Sequence, residues 1–454
     1  MKVHPRASAS VMPAVTSVLR CIGCGATADI LAERKFRCTQ CGNLFEVHHD
    51  YPGFSKGAAK AMKDDFRHRS NMYGRPKTYG PRTRSGVWCF HELVLPNLDE
   101  SQLITLGEGI VPIVPAGRNL MQYIGGDVDI WMMLEGQGPS GSFKDFGGAA
   151  MISTAKAAGV SSVFCSSTGD TSAMLAAYSA AAGIPCGVLL PEGQVTHVQV
   201  IQPAAHGARV IQLPTDFDGC MRVMQYLVEH HGAYPGNSLN PTRIEGHKAT
   251  VFLIAQFFRW KLPEWIAVPV GNGSNSSSIG KAQRELVQWG FVPSVSRILG
   301  CQSKAANPLA ASWESVRACD GDRLSLWRKA YTDVKAGETL ATATRIGSPV
   351  SREKVMREVT HSNGVMESVA EEALEGGMHA AARDGFLVCP QTGIAIAGVQ
   401  NAVQRGDIGK GETVVIVSTA TGMKFAPVYE RRTQGSIERA RDDNPETIAK
   451  MLNL

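Results

Sequence analysis

Short apolar runs rich in β-branched residues alternate with alanine-rich stretches along the chain from residue 130 onward. The apolar runs predict buried strands, and the stretches between them predict helices. The predicted strands are 160–165, 185–190 and 208–213, and the predicted helices are 171–182, 195–206 and 217–230. Strands that alternate with helices in this way build a parallel sheet with helices on its faces.

A second series of the same kind begins with the apolar run 265–270 and ends with a predicted strand at 413–417. We therefore predict an α/β protein with two doubly wound α/β domains, and two such units commonly hold a ligand between them. The larger domain is expected to comprise residues 53–130 and 262–454, and the smaller one residues 131–261. Residues 1–52 are left for an N-terminal tail and a separate small module.

Composition narrows the class of protein. Of the 454 residues, 44% are hydrophobic and 19% are charged, as in globular proteins, and the net charge of +5 is too mild to predict a nucleic-acid partner. No apolar run is long enough to span a bilayer, so no membrane partner is expected. Residues 1–20 lack a secretory apolar core and predict a disordered tail, with a transit segment as the alternative. The 11 cysteines lie mostly in apolar or glycine-containing segments, which favours a cytoplasmic location.

The N-terminal module contains two cysteine pairs with the spacing of metal ligands. Cys21 and Cys24 form one C-x2-C pair, Cys38 and Cys41 form the other, and a glycine follows each pair. Four thiolates from two such knuckles can close a tetrahedron around Zn²⁺. The spacing predicts a zinc-ribbon-like module with a structural zinc or a similar ion, and a metal-free ribbon is the alternative. A polar linker is expected to follow the module as far as about residue 84.

Lys144 is the strongest candidate for a catalytic residue. It follows a loop of glycine, proline and serine at 138–142 and precedes an alanine-rich helical stretch at 149–158. An amine held beside Phe143 and among small residues is shielded from water, so its pKa can fall far enough for it to act as a nucleophile or a base. An ordinary lysine at the start of a helix is the alternative interpretation.

Three polar loops follow predicted strands, where α/β folds place their ligands. The loop 166–171 offers hydroxyl and N–H groups at a helix N-terminus, which can bind an anion or simply cap the helix. The loop 270–278 is rich in glycine, asparagine and serine and can wrap a phosphate, although a plain flexible loop has the same composition. The loop 418–423 presents hydroxyl groups that can serve a ring nitrogen or a polar substrate.

These loops and Lys144 together suggest pyridoxal 5′-phosphate as a cofactor. Its aldehyde would form a Schiff base with Lys144, and its phosphate would lie on the loop at 271–275. The electron-withdrawing ring would then stabilise a carbanion on an amino-acid substrate.

Several motifs in a fixed order resemble those of the threonine synthase family, within the fold-type II (tryptophan synthase beta-like) pyridoxal-phosphate enzymes. The matching segments are 106–109, 141–145, 167–171, 216–221, 237–240, 243–246, 271–275, 389–393 and 418–425. The resemblance covers nearly all of the chain after residue 20 and points to the plant-type branch. It implies the fold, the cofactor and a homodimer.

The resemblance also implies roles for individual residues. Lys144 would be the catalytic residue that binds the cofactor and moves protons. The cofactor would be held by Asp170, Gly271, Asn272, Gly273, Ser274, Asn275 and Thr419, with Thr419 at the pyridine nitrogen. The substrate carboxylate would meet Thr168 and Thr171, and the substrate phosphate would meet Ser140, Asn240 and Arg243. The implied reaction converts O-phospho-L-homoserine and water to L-threonine and phosphate, by Cα and Cβ deprotonation and loss of the γ-phosphate.

Several positions depart from the family pattern, the serine-rich run 274–278 among them, and leave the substrate open. Ser140 lies in Gly-Pro-Ser where the family has Asn-Pro-Thr or Ser-His-Thr, His247 replaces a glutamine and Thr421 replaces a histidine. His247 and Thr421 are expected on the substrate side of the cofactor, and neutral drift is one interpretation of both. A paralogue that acts on another activated amino acid is the alternative, for example cysteate synthase with phosphoserine and sulfite, or a natural-product enzyme. A non-catalytic binding protein is the second alternative, but an intact Lys144 and phosphate loop argue against it.

Overall fold

The computed structural model describes residues 15–51, 54–70, 85–167, 169–193 and 197–452. The strands within this part of the chain are β1 (Thr16–Cys21), β2 (Thr27–Ala28), β3 (Phe45–Asp50), β4 (Ile113–Pro115), β5 (Asp129–Leu134), β6 (Val163–Ser166), β7 (Cys186–Pro191), β8 (Arg209–Leu213), β9 (Tyr234–Pro235), β10 (Trp265–Pro269), β11 (Arg297–Ser303), β12 (Val365–Val369) and β13 (Thr413–Ser418). They form three sheets, and each sheet has its own role in the architecture.

The helices lie between these strands and on both sides of them. They are α1 (Lys56–Ser70), α2 (His91–Val94), α3 (Arg118–Ile124), α4 (Lys144–Ala157), α5 (Asp170–Ala182), α6 (His197–Ala205), α7 (Phe217–His231), α8 (Pro241–His247), α9 (Ala249–Phe257), α10 (Ser274–Gln288), α11 (Pro308–Glu314), α12 (Arg323–Ala330), α13 (Arg352–His361), α14 (Glu371–Arg383), α15 (Pro390–Arg405), α16 (Ala426–Thr433) and α17 (Pro445–Met451). Among the described helices, none is both apolar and long enough to cross a bilayer.

The largest sheet has six strands in the order β12-β11-β10-β13-β5-β4. All neighbours are parallel except β4, which runs antiparallel to β5 at the edge. The central strand β10 is buried along its whole length, because helices cover both faces of a parallel sheet. An uninterrupted apolar run at 265–270 is therefore the pattern that this position requires.

The second sheet has four parallel strands in the order β8-β7-β6-β9. It contains the strands predicted at 160–165, 185–190 and 208–213, and the helices predicted to follow them are α5, α6 and α7. The predicted α/β class is thus confirmed, with one parallel sheet and one that is parallel except for its edge strand β4. The boundary predicted after residue 130 would cut β5, which pairs over its whole length with β13, so we place that boundary after Leu134.

The N-terminal module is a three-stranded antiparallel sheet in the order β2-β1-β3. It packs on the rest of the protein: the rings of Phe36 and Tyr234 lie 5.5 Å apart, and those of Tyr51 and Trp289 lie 4.6 Å apart. The linker predicted after it is wrong in part, because residues 56–70 form α1. Residues 71–84 of that predicted linker lie outside the described part of the chain.

The sheet order brings three loops to one edge. The strands β5, β13 and β10 are parallel neighbours, so their carboxyl ends lie side by side. The loop with Lys144 follows β5, the loop with Thr419 follows β13, and the loop 271–273 follows β10. Ligands of α/β proteins bind at this edge of a sheet.

Candidate active site

Lys144 is the first residue of α4 and lies at the end of the loop that leaves β5. Its side chain is 18% exposed, and its Nζ lies 4.3 Å from the centre of the Phe143 ring. Burial lowers the pKa of Lys144 to about 8, although the Asp170 carboxylate opposes this shift. A neutral amine is therefore accessible near neutral pH, as a nucleophile or a base requires.

Asp170, the first residue of α5, lies between two lysines. Its Oδ2 is 3.8 Å from Lys144 Nζ, and its Oδ1 is 2.7 Å from Lys424 Nζ. Burial alone would raise the pKa of Asp170, but the ammonium groups of Lys424 and Lys144 outweigh burial and lower it. Lys424 also donates to the Ser140 carbonyl at 2.9 Å, so it ties Asp170 to the lysine loop.

Lys424 is a candidate functional residue that sequence reasoning missed. It stands at the end of the matching segment 418–425, and that position was the available signal. Its partner Asp170 lies far away in the sequence, so the pattern along the chain gives no hint that the two side chains meet.

The loop after β10 has the form of an anion cradle. Gly273 has a φ of +85°, in the left-handed region, and a Cβ there would lie 2.4 Å from Cγ2 of Val355. Ser274 and Asn275 were predicted in a loop, but they begin the 15-residue helix α10. The free N–H groups of this first turn can bind an anion. Both polar side-chain atoms of Asn275 are buried without a partner in the described structure.

Asn272 and Gly271 shape the same loop from its other side. The Oδ1 of Asn272 accepts from the Val350 N–H at 3.3 Å, and its carbonyl accepts from the Ser351 N–H at 3.0 Å. A Cβ at Gly271 would lie 3.1 Å from Cα of Thr344. The side chain of Asn272 thus braces the loop, and its backbone N–H is what remains for a ligand.

The third loop lies directly against the lysine loop. The Phe143 N–H donates to the Thr419 carbonyl at 2.8 Å, and the Thr421 N–H donates to the Gly141 carbonyl at 3.1 Å. These hydrogen bonds place Thr419 beside the residue that precedes Lys144. The loop from the C-terminal part of the chain therefore forms one wall of the site.

The two threonines of this loop use their side chains differently. The Thr419 hydroxyl is buried and lies 3.5 Å from Sγ of Cys389, a weak contact that leaves it able to bond a ligand. The Thr421 Oγ1 accepts from the Met423 N–H at 3.3 Å, and its methyl carbon lies 3.1 Å from where a Cβ at Gly141 would stand. Thr421 thus caps a short turn and packs against the lysine loop.

Arg243 and His247 lie one turn apart on α8, and both are buried. Arg243 Nη1 donates to the Gly236 carbonyl at 2.9 Å, but its Nε has no partner, and in the described structure its guanidinium forms no ion pair. Burial lowers the pKa of Arg243 to about 10. The positive charge of Arg243 also lowers the pKa of Lys144, so the guanidinium acts electrostatically on the amine. A buried cation without a counter-charge is suited to receive an anionic ligand.

His247 packs under the lysine loop, with its ring centre 5.0 Å from that of Phe143. Neither ring nitrogen has a partner among the described residues. Burial, followed by the charges of Arg243 and Lys144, lowers the pKa of His247 well below its usual value. The imidazole is therefore neutral at physiological pH.

The remaining predicted substrate residues differ in whether their side chains already have hydrogen-bond partners within the protein. Ser140 is buried and its Oγ has no partner among the described groups. Thr171 lies in the first turn of α5 and is also buried. Asn240 is the N-cap of α8: its Oδ1 accepts from Thr242, and its Nδ2 donates to a backbone carbonyl at 3.2 Å. Both polar atoms of its amide are therefore hydrogen-bonded within the protein. Thr168 lies outside the described residues.

Two buried carboxyl groups beside the lysine loop were also missed by sequence reasoning. Glu135 accepts from the Thr250 hydroxyl at 2.5 Å, and burial raises its pKa to about 8. Asp145 accepts from the Ser140 N–H at 3.0 Å, and burial raises its pKa to about 7. Both groups therefore hold a proton for much of the time near neutral pH, which limits the negative charge around Lys144.

These residues fit pyridoxal phosphate. Lys144 offers an amine of lowered pKa, Thr419 offers a hydroxyl, and the first turn of α10 offers free N–H groups beside the unpartnered side chain of Asn275. Neighbouring strands lie about 4.8 Å apart, so the ends of β5 and β10 are separated by about 10 Å. A substituted pyridine ring with a phosphate arm can span that distance, with Thr419 between its two ends.

The four cysteines of the N-terminal module also converge. Their Sγ atoms all lie within 4.8 Å of one another, with 3.3 Å between Cys21 and Cys41 and 3.5 Å between Cys24 and Cys38. Thiolates around a tetrahedral zinc at about 2.3 Å would lie about 3.8 Å apart. The donor set and its geometry therefore fit zinc.

The architecture and the site agree with comparisons to known proteins. The family model described as "Pyridoxal-phosphate dependent enzyme" matches residues 104–420, a span that contains Lys144, the cradle at 271–275 and Thr419. The fold and the site thus define a pyridoxal-phosphate-dependent enzyme.

Curated relatives narrow this class. The chain is 34% identical over 420 residues to threonine synthase 2, chloroplastic, of Arabidopsis thaliana, covering 91% of this chain and 77% of that protein. It is 34% identical over 429 residues to threonine synthase of Methanocaldococcus jannaschii, covering 94% of this chain and 97% of that one. The fold of threonine synthase from Escherichia coli matches with a TM-score of 0.64 at 18% identity, over 95% of this chain and 94% of that one. The chain belongs to the threonine synthase family.

Proposed function

We propose that this protein is a threonine synthase that converts O-phospho-L-homoserine and water to L-threonine and phosphate. The carrying observation is the buried guanidinium of Arg243, which forms no ion pair in the described structure yet lies in the field of Lys144. A phosphate on the substrate would supply the missing counter-charge. The similarity to threonine synthases over most of the chain supports the same conclusion.

The cofactor would be held by residues from three parts of the site. The N–H groups of the segment 271–275 would bind its phosphate, Thr419 would bond its ring nitrogen and Asp170 would lie near its 3′-oxygen. When bound, the cofactor supplies an aldehyde that captures an amine and a ring that accepts electrons. A neutral hydroxyl partner such as Thr419 leaves the ring nitrogen without a proton of its own.

The chain's own residues would carry out the remaining steps. Lys144, with its lowered pKa, removes the proton from Cα and then one from Cβ, and later returns a proton to Cγ. Arg243 and Ser140 hold the leaving phosphate, and Thr168 and Thr171 hold the substrate carboxylate. Water adds at Cβ. Arg243, Ser140 and Thr171 are buried, so bulk solvent is excluded there and each charge interaction is strengthened.

Phosphate release tests this function. The purified protein is incubated with O-phospho-L-homoserine or with O-phospho-L-serine, each with and without sulfite, and free phosphate and the amino-acid product are measured. We expect phosphate and threonine from phosphohomoserine alone. Release that requires phosphoserine and sulfite would instead identify the paralogue suggested by Ser140, His247 and Thr421. A wild-type protein that cannot bind the cofactor would contradict any enzymatic function.

We further propose that Cys21, Cys24, Cys38 and Cys41 bind one structural zinc ion, and that the enzyme is a cytoplasmic homodimer. The convergence of the four Sγ atoms supports the zinc site. Metal analysis of the purified protein should give about one zinc per chain, and Cys24→Ser should lower that content while Cys319→Ser, at an exposed cysteine elsewhere, should not. Sedimentation measures the dimer. A zinc content unaffected by Cys24→Ser would refute the site.

A further inference from the structure

A buried network of charged groups lies where the N-terminal module meets the helices of the catalytic site. Glu245 of α8 contacts Lys281 and lies 2.7 Å from Lys248 and 2.9 Å from His49 of β3. Glu285 of α10 lies 2.6 Å from Lys248 and 3.1 Å from Lys281. Two carboxylates and two ammonium groups are thus paired away from water, and His49 is the contribution of the N-terminal module.

His49 takes part as a neutral donor. Burial lowers its pKa, although its hydrogen bond to Glu245 opposes this shift. The pKa of Glu245 is lowered because Lys248 and Lys281 outweigh the effect of burial, so Glu245 is a carboxylate that can only accept. The Nε2–H of His49 therefore donates to Glu245, and its Nδ1 accepts from the Ser17 hydroxyl at 2.7 Å. The Glu245 carboxylate sets this tautomer, because it can only accept, whereas the Ser17 hydroxyl can donate or accept.

Glu245 lies on the side of α8 that faces away from Arg243 and His247. Successive helical residues are rotated by about 100°, so residue 245 is turned by about 200° from residue 243, whereas residue 247 returns to within about 40° of it. One face of this short helix therefore meets the charged network, and the other presents the unpartnered groups of the site. A change in how Glu245 is held would move Arg243 and His247 together.

Close packing would carry such a movement to Lys144. A Cβ at Gly246 would lie 2.0 Å from the Phe146 carbonyl oxygen, and a Cβ at Gly147 would lie 2.5 Å from Cε1 of His247. The helices α8 and α4 thus touch through two glycines with no free space between them. Because α4 begins at Lys144, the backbone from which its amine extends is fixed relative to α8.

We propose that Glu245 is a positioning residue for Arg243 and Lys144, and that the N-terminal module holds it in place through His49. The inference rests on the proposed function for the role of Arg243 toward phosphate. The N-terminal module would then take part in substrate binding as well as in zinc binding and stability. Its strand β3 reaches the side of α8 that lies opposite Arg243.

Three variants of the holoenzyme test the proposal. His49→Leu removes the donor to Glu245, His49→Gln keeps an N–H donor at a similar reach, and Glu46→Gln breaks another ion pair of the same strand, the 2.8 Å contact with Arg357 of α13. We expect His49→Leu to raise the KM for phosphohomoserine and the inhibition constant of inorganic phosphate about tenfold, with a smaller change in kcat. We expect His49→Gln to restore both to within about threefold, and Glu46→Gln to leave both unchanged.

A purely structural role for His49 predicts a different result. In that case His49→Leu and Glu46→Gln would both lower the thermal midpoint, and neither would change the phosphate inhibition constant or the KM, which would overturn the proposal. Inorganic phosphate binding is also followed by its effect on the visible absorbance of the bound cofactor, without turnover. If the wild-type protein were inactive on phosphohomoserine, the proposed function would fail, while this binding measurement would still decide the role of Glu245.

Discussion

The two faces of α8 carry buried polar groups in opposite states. On one face, Glu245 has three partners within hydrogen-bond reach, and its charge is balanced inside the protein. On the other face, Arg243 lacks an ion pair among the described residues, and both nitrogens of His247 lack a partner there. The two faces share the same burial and the same helix, so burial alone does not distinguish them.

What distinguishes the faces is whether the protein itself satisfies the groups. Leaving a buried polar group unpaired costs free energy, and native proteins keep few of them. A cluster of unpaired groups around a lysine therefore marks a place where a ligand completes the hydrogen bonds. The paired cluster stabilises the fold whether or not a ligand is bound. Variants on the two faces of α8 separate these two roles.

The largest effect is expected at the amine itself. Lys144→Ala should remove the visible absorbance of the bound cofactor and reduce kcat by at least about 10³-fold, because both depend on this one nucleophile and base. Absorbance spectra and phosphate release measure the two effects. Lys156→Ala, in the last turn of the same helix, is the matched control and should change neither. A coloured and active Lys144→Ala protein would disprove the assignment.

On the paired face, Glu245→Gln should lower the free energy of unfolding by about 3–5 kcal/mol, because it leaves two buried ammonium groups short of a counter-charge. Urea denaturation monitored by tryptophan fluorescence measures this change. Gln225→Ala, on α7 of the smaller sheet, removes only an exposed hydrogen bond to Glu229 and should cost little. Equal stability of Glu245→Gln and wild type would mean that the network is not a stabilising one.

On the unpaired face, Arg243→Met should weaken phosphate binding and leave stability nearly unchanged. Removing a buried cation that has no counter-ion among the described residues should leave the free energy of unfolding within about 1 kcal/mol of wild type. The same change should weaken phosphate inhibition about 100-fold, since a charge-assisted contact in a dry site is lost. Denaturation and inhibition assays run in parallel decide the case. Strong destabilisation with unchanged phosphate affinity would assign Arg243 to the fold instead.

The smallest effect concerns the pH dependence of cofactor capture by the apoprotein. Only the neutral amine reacts, so the capture rate should rise with pH through a midpoint near the pKa of Lys144, which is about 8. Asp170→Asn removes a negative charge that raises this pKa, so the midpoint should fall. Lys424→Met removes a positive charge that lowers it, so the midpoint should rise. Shifts in the same direction for both variants would contradict the electrostatic account.

The sequence pattern predicted the framework because its signals are local. The apolar run at 265–270 and the alternation around 160–230 each predict an element without reference to the rest of the chain. The helix α1 escaped prediction within a charged segment, although its buried Ala59, Met62 and Phe66 recur at helical spacing. The start of α10 escaped because serines usually indicate a loop, whereas here Ser276 and Ser277 donate to the Gly273 carbonyl within the helix.

Site residues could be predicted only where the neighbouring residues in the sequence already indicate their role. Lys144 and the glycines at 271 and 273 stand out locally, and the structure brings their loops to one edge of the sheet. The Asp170–Lys424 pair and the contact of His49 with Glu245 join residues that lie about 200 or more positions apart in the sequence. Such pairs depend on tertiary packing, and a single sequence does not reveal them. The capping role of Asn240 likewise became apparent only in the structure.

The hydrogen bonds between the lysine loop and the Thr419 loop bear on biosynthesis. Phe143 and Thr419 are joined although synthesis of the second follows that of the first by more than half of the chain. At about 5–20 residues per second, a ribosome needs about 14–55 s to cover that interval. During this time a nascent chain contains Lys144 but not yet the Thr419 loop, which forms one wall of the site. Cofactor capture is thereby postponed until translation is almost finished, and nascent chains arrested before residue 419 should emerge colourless.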